Sequence, residues 1–213
     1  MVEIHGFAAP PYARVKDAFA ANFAEADEVG ARFSLVQGGE TVVDLWAGHA
    51  DRARTRPFAE DTLTPIFSTT KALAALMIAR LVDQGRLAYD QPVASVWPEF
   101  GQAGKADITV EEALSHQAGL SGLPDEMDPA LWFDWDAVCA RIAATAPIWP
   151  PRTASGYGPS TLGHIAGEIF RRVDGRAIGR AFAEDLAGPL GLDAWIGLPD
   201  SEHARCADMI RPK

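Results

Sequence analysis

The sequence predicts an α+β fold in which a small sheet comes first and helices dominate the middle of the chain. Three patterns carry that expectation. Residues Arg32-Phe33-Ser34-Leu35 alternate polar and apolar, Gly38-Gly39 supplies a tight turn, and Thr41-Val42-Val43-Asp44-Leu45-Trp46 is rich in β-formers, which together read as an antiparallel hairpin. Apolar residues then recur at helical spacing in several segments between Ser68 and Leu186. No later strand is evident, and a two-stranded hairpin is marginal alone. The expectation is a single but incomplete domain over residues 1–213, with an N-terminal helix and hairpin in 1–66 and a mainly helical part in 67–200.

The elements follow in order. Pro10-Pro11 precede Val15, Phe19 and Phe23, whose four-residue spacing lines one face of a helix ending near Gly30. A long Ala-rich helix starts at Ser68, with Leu73, Leu76, Met77 and Leu81 on its buried face and Gly85 placed to end it. Thr109-Val110-Glu111-Glu112 is a capping-box pattern, and Asp134 stands where it can cap a helix running from Trp135 to Ala144. Leu162, Ile165, Ile169 and Val173 mark another helix. A last one carries Ile178, Phe182 and Leu186 until Gly188-Pro189-Leu190-Gly191 breaks it, and an irregular tail runs to Lys213.

Composition narrows the function. The 213 residues are 48% hydrophobic and 23% charged, enough for one globular domain with a sizeable core. No run approaches the roughly 18 apolar residues of a membrane span, so no membrane partner is expected. The start Met1-Val2-Glu3-Ile4-His5-Gly6 lacks the basic and apolar regions of a secretory signal, which predicts a cytoplasmic protein. Cys139 and Cys206 fit neither a disulfide framework nor a zinc site. The net charge of −10 opposes nucleic-acid binding, and the longest basic run is Arg171-Arg172.

One short motif carries chemistry. In Phe67-Ser68-Thr69-Thr70-Lys71, Ser68 and Lys71 stand three apart at the start of the long helix, where side chains are neighbours. An ordinary lysine, of pKa about 10.4, is protonated at neutral pH, but burial and the positive end of a helix both favour its neutral amine. Such an amine can take the Ser68 proton, and the backbone N–H of Ser68 can hold the oxyanion of the tetrahedral intermediate that follows. Eight serines and four lysines in this length give about 0.15 Ser-x-x-Lys matches by chance, so the motif alone also fits a capping serine and a surface lysine.

Other constellations point elsewhere more weakly. Trp132 and Trp135, with Phe133, form a candidate apolar wall for a substrate group, or plain packing at a helix start. Asp134 and Asp136 diverge on a helix and make a poor carboxylate pair. Gly-x-Ser-x-Gly is absent, and Gly156-Tyr157-Gly158 lacks the third glycine of a dinucleotide loop. No cofactor or metal is required.

Several stretches along the chain resemble one family. They are Phe67-Ser68-Thr69-Thr70-Lys71, Leu81-Val82-Asp83-Gln84-Gly85-Arg86-Leu87, Leu114-Ser115-His116-Gln117-Ala118-Gly119-Leu120 and Gly188-Pro189-Leu190-Gly191-Leu192. They are similar, in the right order, to the β-lactamase-related serine hydrolases. Thr161-Leu162-Gly163 and Trp195-Ile196-Gly197-Leu198-Pro199 resemble the branch of class C β-lactamase-like carboxylesterases. The resemblance implies a β-lactamase/DD-peptidase-like fold and an acyl-serine mechanism. It maps the family's tyrosine onto Tyr157, which would share the base role with Lys71. Pro159 stands where β-lactamases of this type carry an amide side chain, which favours a small-ester substrate. Arg152 replaces the glycine of the family's Pro-Gly-Thr, and His116 reads as a structural imidazole bonded to nearby backbone.

Two further readings stay open: a β-lactamase or D-amino-acid peptidase acting on an amide with the same residues, and a non-catalytic fragment or binding module. Family members are longer, and their later part supplies further strands and a Lys-Thr-Gly motif that none of Lys16, Lys105 or Lys213 begins. An unpaired sheet edge is therefore expected, and with it self-association.

Overall fold

In the computed structural model, which describes residues 2–211, the chain divides into two units, residues 2–65 with 198–211, and residues 66–197.

The first unit holds the sheet. Strands β1 (Ile4–Ala8), β2 (Gly30–Gln37) and β3 (Glu40–Gly48) pair antiparallel in the order β1-β3-β2. The expected hairpin is present as β2 and β3, but the sheet has three strands rather than two. The extra strand is hidden in sequence by Gly6, which lies at φ +83°. A Cβ there would sit 2.0 Å from the Asp44 carbonyl oxygen.

Helix α1 (Ala13–Glu25) packs Phe19, with Val15 and Phe23, on the face formed by Val43, Leu45 and Ala47. It stops at Glu25, short of Gly30, because Asp27 turns left-handed at φ +57° and Gly30 already belongs to β2. On the opposite face Arg32 pairs with Asp44 at 2.8 Å and lies 5.5 Å over the Trp46 ring. The tail is more ordered than expected. A 3-10 helix (Asp200–Arg205) leads into a parallel bridge between Cys206 and Leu63, and Arg56 donates to the carbonyls of Ala204 and Cys206. Lys213 lies outside the described residues.

The second unit is helical. After a 3-10 turn (Phe67–Thr69) come α2 (Thr70–Asp83), α3 (Val110–Leu114), α4 (Trp135–Ala144), α5 (Thr161–Asp174) and α6 (Ile178–Phe182). Helix α2 lies against α5. Met77, Ile78 and Leu81 join Trp97, Phe100, Ile142, Ile165, Ile169 and Phe170 in one core. Leu76, expected on the buried face, is 48% exposed, because the buried side of α2 follows Ala74, Met77, Ile78 and Leu81. Both sequence-predicted caps form. Thr109 and Glu112 make the reciprocal capping box, and the Asp134 side chain accepts from Ala137 N at 3.0 Å.

Gly188 does not break the last helix. The chain continues from α6 through a π-helical turn (Ala183–Ala187) into a final turn (Gly188–Leu190), and Gly191 at φ +62° ends it. The wider turn lets Gly188 N bond to Ala183 O, one residue beyond the α-helical partner, just ahead of Pro189.

Polar groups inside this unit are fully engaged. Lys105 is 0% exposed and donates to the carbonyls of Gln102, Ala143 and Thr145 at 2.9, 2.8 and 2.6 Å. Burial pulls its pKa down to about 8, so the ammonium persists at neutral pH and satisfies the C-terminal end of α4. Buried Glu168 accepts from Trp135 Nε1, Arg171 and Arg172, each at 2.8 Å. Burial alone would raise its pKa, but these donors outweigh burial and lower it.

A chain of ion pairs joins helix ends: Arg80 to Asp185, Asp185 to Arg176, Arg176 to Asp174 and Asp174 to Arg86. No helix among the described residues is long and apolar enough to cross a membrane.

Hydrogen bonds from Arg176 and then Arg80 lower the Asp185 pKa from 3.8 to about 2. Between those values the unfolded chain binds the extra proton, so this contribution is full above pH 3.8 and is lost as pH falls toward 2. Asp185→Asn is expected to cost about 1 kcal/mol at pH 7 after solvent screening, a difference that vanishes toward pH 2. Urea unfolding of both proteins across that pH range measures it.

Candidate active site

The approach to Ser68 is strained. Phe67 sits at φ +45°, a left-handed conformation disfavoured for a bulky side chain, and Thr69 N closes the 3-10 turn onto Ile66 O at 3.0 Å. In a 3-10 turn residues three apart eclipse. Lys71, in the first turn of α2, accordingly places Nζ 3.0 Å from Ser68 Oγ. The same ammonium donates to the Pro159 carbonyl oxygen at 2.9 Å, immediately before α5. The amide side chain missing at 159 is thus not what anchors the lysine.

Tyr157 completes the cluster. Its Oη donates to Ser68 Oγ at 2.5 Å, and Lys71 Nζ lies 5.1 Å from the ring centroid. Hydrogen bonding with Ser68, then with Lys71, holds the phenol below its ordinary pKa of 10.0 despite 53% exposure of the residue. The three residues singled out in sequence therefore meet at one oxygen.

The two glycines beside Tyr157 are required sterically. A Cβ on Gly156 would lie 2.1 Å from the Trp149 ring, and one on Gly158 would lie 2.6 Å from Thr161 Oγ1. Gly156 N donates to His116 O at 3.0 Å, and Gly158 N donates to His116 Nδ1 at 3.1 Å. His116 thus has the backbone-bonded role expected of it. The Nδ1 contact fixes that nitrogen as the unprotonated one.

Arg152 lies in a left-handed conformation at φ +73°, one that glycine adopts without strain. Its side chain pairs with Glu112 and donates to Asp107 O at 2.7 Å. Glu112 therefore serves the capping box of α3 and the Tyr157 loop at once, a link between residues 40 apart that no local pattern announces.

The two tryptophans both lie against the His164 ring, with centroids 5.9 and 4.9 Å from it, but differ in what else they touch. Trp132, with Leu123, Met127, Pro159 and Ser160, lines a cavity of about 260 Å³ that shares Pro159 with the Ser68 cluster. Trp135 does not line it. Its indole N–H is tied to Glu168, and its ring fills the space a Cβ on Gly167 would need, 2.4 Å away. Packing on α5 explains Trp135, as a residue at the start of α4.

Chemically, Ser68 Oγ receives hydrogen bonds from both Lys71 and Tyr157. With the phenol ionised the bond reverses, and Ser68 becomes the donor to an acceptor stabilised by a neighbouring ammonium. Ser68→Ala and Lys71→Met are each expected to raise the Tyr157 pKa back toward 10.0. Phenolate absorbance resolves this against a Tyr157→Phe blank, since the chain has 3 tyrosines.

Known proteins are similar to this chain in sequence and fold. The chain is 37% identical over 212 residues to "Esterase/beta-lactamase LipL" of Mycobacterium tuberculosis, covering 99% of this chain and 49% of that protein. It thus spans about half the length of that relative. A penicillin-binding protein homolog from Caulobacter crescentus superposes with a TM-score of 0.95 at 65% identity, covering 99% of this chain and 57% of that one. A family VIII carboxylesterase superposes with a TM-score of 0.91 at 49% identity, covering 98% and 57%. The family described as Beta-lactamase matches residues 15–213, and the chain belongs to that family.

Proposed function

We propose that the protein is a serine hydrolase cleaving small carboxylic esters through an acyl-Ser68 intermediate. The observation that carries this reading is the single oxygen, Ser68 Oγ, shared by the Lys71 ammonium and the Tyr157 hydroxyl. Tyr157, ionised beside Lys71, takes the Ser68 proton as Oγ attacks the ester carbonyl carbon. The oxyanion forms at the N-terminal end of α2, with the Ser68 N–H as a donor. The tetrahedral species collapses, the bond to the alcohol oxygen breaks, and Tyr157 returns the proton to that oxygen. Water then attacks acyl-Ser68 by the same proton route, which releases the carboxylic acid and restores the serine.

An ester is favoured over a lactam because Pro159 offers no side-chain amide toward a substrate amide group. Similarity to a protein described as an esterase/β-lactamase and to a family VIII carboxylesterase supports the same choice. The cavity beside Trp132 is suited to an apolar acyl or alcohol group.

Hydrolysis of a short-chain p-nitrophenyl ester is expected, with kcat/KM falling ~10³-fold or more in Ser68→Ala. Equal rates in the two proteins would overturn the reading. Nitrocefin turnover exceeding ester turnover would move the substrate class to lactams.

A further inference from the structure

We propose that His116 is the positioning residue for Tyr157, holding the tyrosine over Ser68 by gripping the glycine on each side of it. The inference rests on the serine-hydrolase reading above, but its geometry stands by itself. The carbonyl of His116 accepts from Gly156 N at 3.0 Å and its ring Nδ1 accepts from Gly158 N at 3.1 Å. Its ring meets the Tyr157 ring edge-on, with centroids 5.0 Å apart. Backbone and side chain of one residue thus fix the tyrosine from before, after and beside.

The backbone conformation of His116 is what lets both acceptors face the same loop. It sits at φ +64°, where most side chains are disfavoured and Asn is among the better tolerated. The segment after it continues the grip, since Gln117 O accepts from Arg152 N and Gly119 O accepts from Ile148 N. Residues 116–119 therefore form the floor on which the loop from 148 to 158 is laid.

The grip requires an unprotonated Nδ1. Burial, and then the Lys71 charge, keep the imidazole below its ordinary pKa of 6.5. The charged or titratable groups facing it are Lys71 and Tyr157, and the small cavity beside it is lined by uncharged residues, Ala113, Ala118, Leu120, Thr161, Leu162 and Ile165 among them. A proton on Nδ1 would turn the acceptor of Gly158 N–H into a second donor and release the loop.

Two variants of the full chain separate positioning from mere packing. His116→Leu removes the acceptor, whereas His116→Asn keeps an acceptor near the Nδ1 position, tolerates the left-handed backbone and does not titrate. The first readout is the Tyr157 phenolate titration, taken against the Tyr157→Phe blank. His116→Leu is expected to raise the Tyr157 pKa toward 10.0, and His116→Asn to hold it below. The second readout is ester hydrolysis. His116→Leu should lose kcat at least ~10-fold with KM within about twofold, and His116→Asn should recover most of that loss.

The ratio of His116→Asn to wild-type kcat should also rise as pH falls through the His116 pKa, which burial and the Lys71 charge hold below its ordinary value. An unchanged Tyr157 pKa in folded His116→Leu overturns the proposal, as does a pH-independent ratio. If His116→Leu fails to fold, the His116→Asn titration and ratio decide alone. If no ester is hydrolysed by the wild type, the functional reading fails and the phenolate titration still judges the grip.

Discussion

Everything at the candidate site depends on how helix α2 lies against helix α5. Each is 14 residues long, and their starts bring Ser68 and Lys71 from one end of the unit's sequence to Pro159, 88 residues later. Met77, Ile78 and Leu81 on one, with Ile165, Ile169 and Phe170 on the other, remove apolar surface from water and set the spacing. At the far ends Arg86 donates to Val173 O at 2.8 Å and pairs with Asp174, so the two helices run in the same direction and are pinned at both ends. Side-by-side helices of one direction repel through their dipoles, and a cation at each pin answers this differently. Arg86 neutralises the negative ends. Lys71 instead adds to the positive ends, which leaves that end of the pair suited to an anion, whether a phenolate or an oxyanion.

Around that end the backbone departs from ordinary conformations. Phe67, His116 and Arg152 all have positive φ without being glycine. Each sits where the chain must change direction within one residue of a group that matters: Ser68 follows Phe67, the Tyr157 loop rests on His116, and Arg152 reaches Glu112. Such conformations persist only where the surroundings over-determine them. Here the determinants are the shared Glu112 carboxylate, the two gripped glycines and the Trp149 ring against Gly156. The buried charges Lys105 and Glu168 play the same part deeper in the helical unit, Lys105 tied to carbonyls at the end of α4 and Glu168 to Trp135 on α4 and to two arginines of its own helix.

What was legible in the sequence was what obeys local rules. The hairpin around Gly38-Gly39, the capping box at Thr109 and the cap at Asp134 all follow from residue types at fixed offsets, and all are present. Strand β1 was missed because its central glycine weakens the strand pattern while being demanded by the close approach of Asp44. The last helix ran past Gly188 because a π-helical turn, invisible to a 3.6-residue period, accommodates Pro189. Ser68, Lys71 and Tyr157 were found through family-like segments, since only the first two share a local motif. The Arg152–Glu112 pair and the commitment of Trp135 to Glu168 are contacts between residues 40 and 33 apart, which periodicity does not encode.

The Pro159 carbonyl has a wider consequence. A main-chain oxygen is present whichever amino acid occupies a position, so the amine of Lys71 keeps this anchor through any exchange of side chain at 159. The side chain at that position is therefore released from holding the amine. A substitution at 159 would therefore change what this end of the helix pair presents to its surroundings while leaving the anchor of the amine in place.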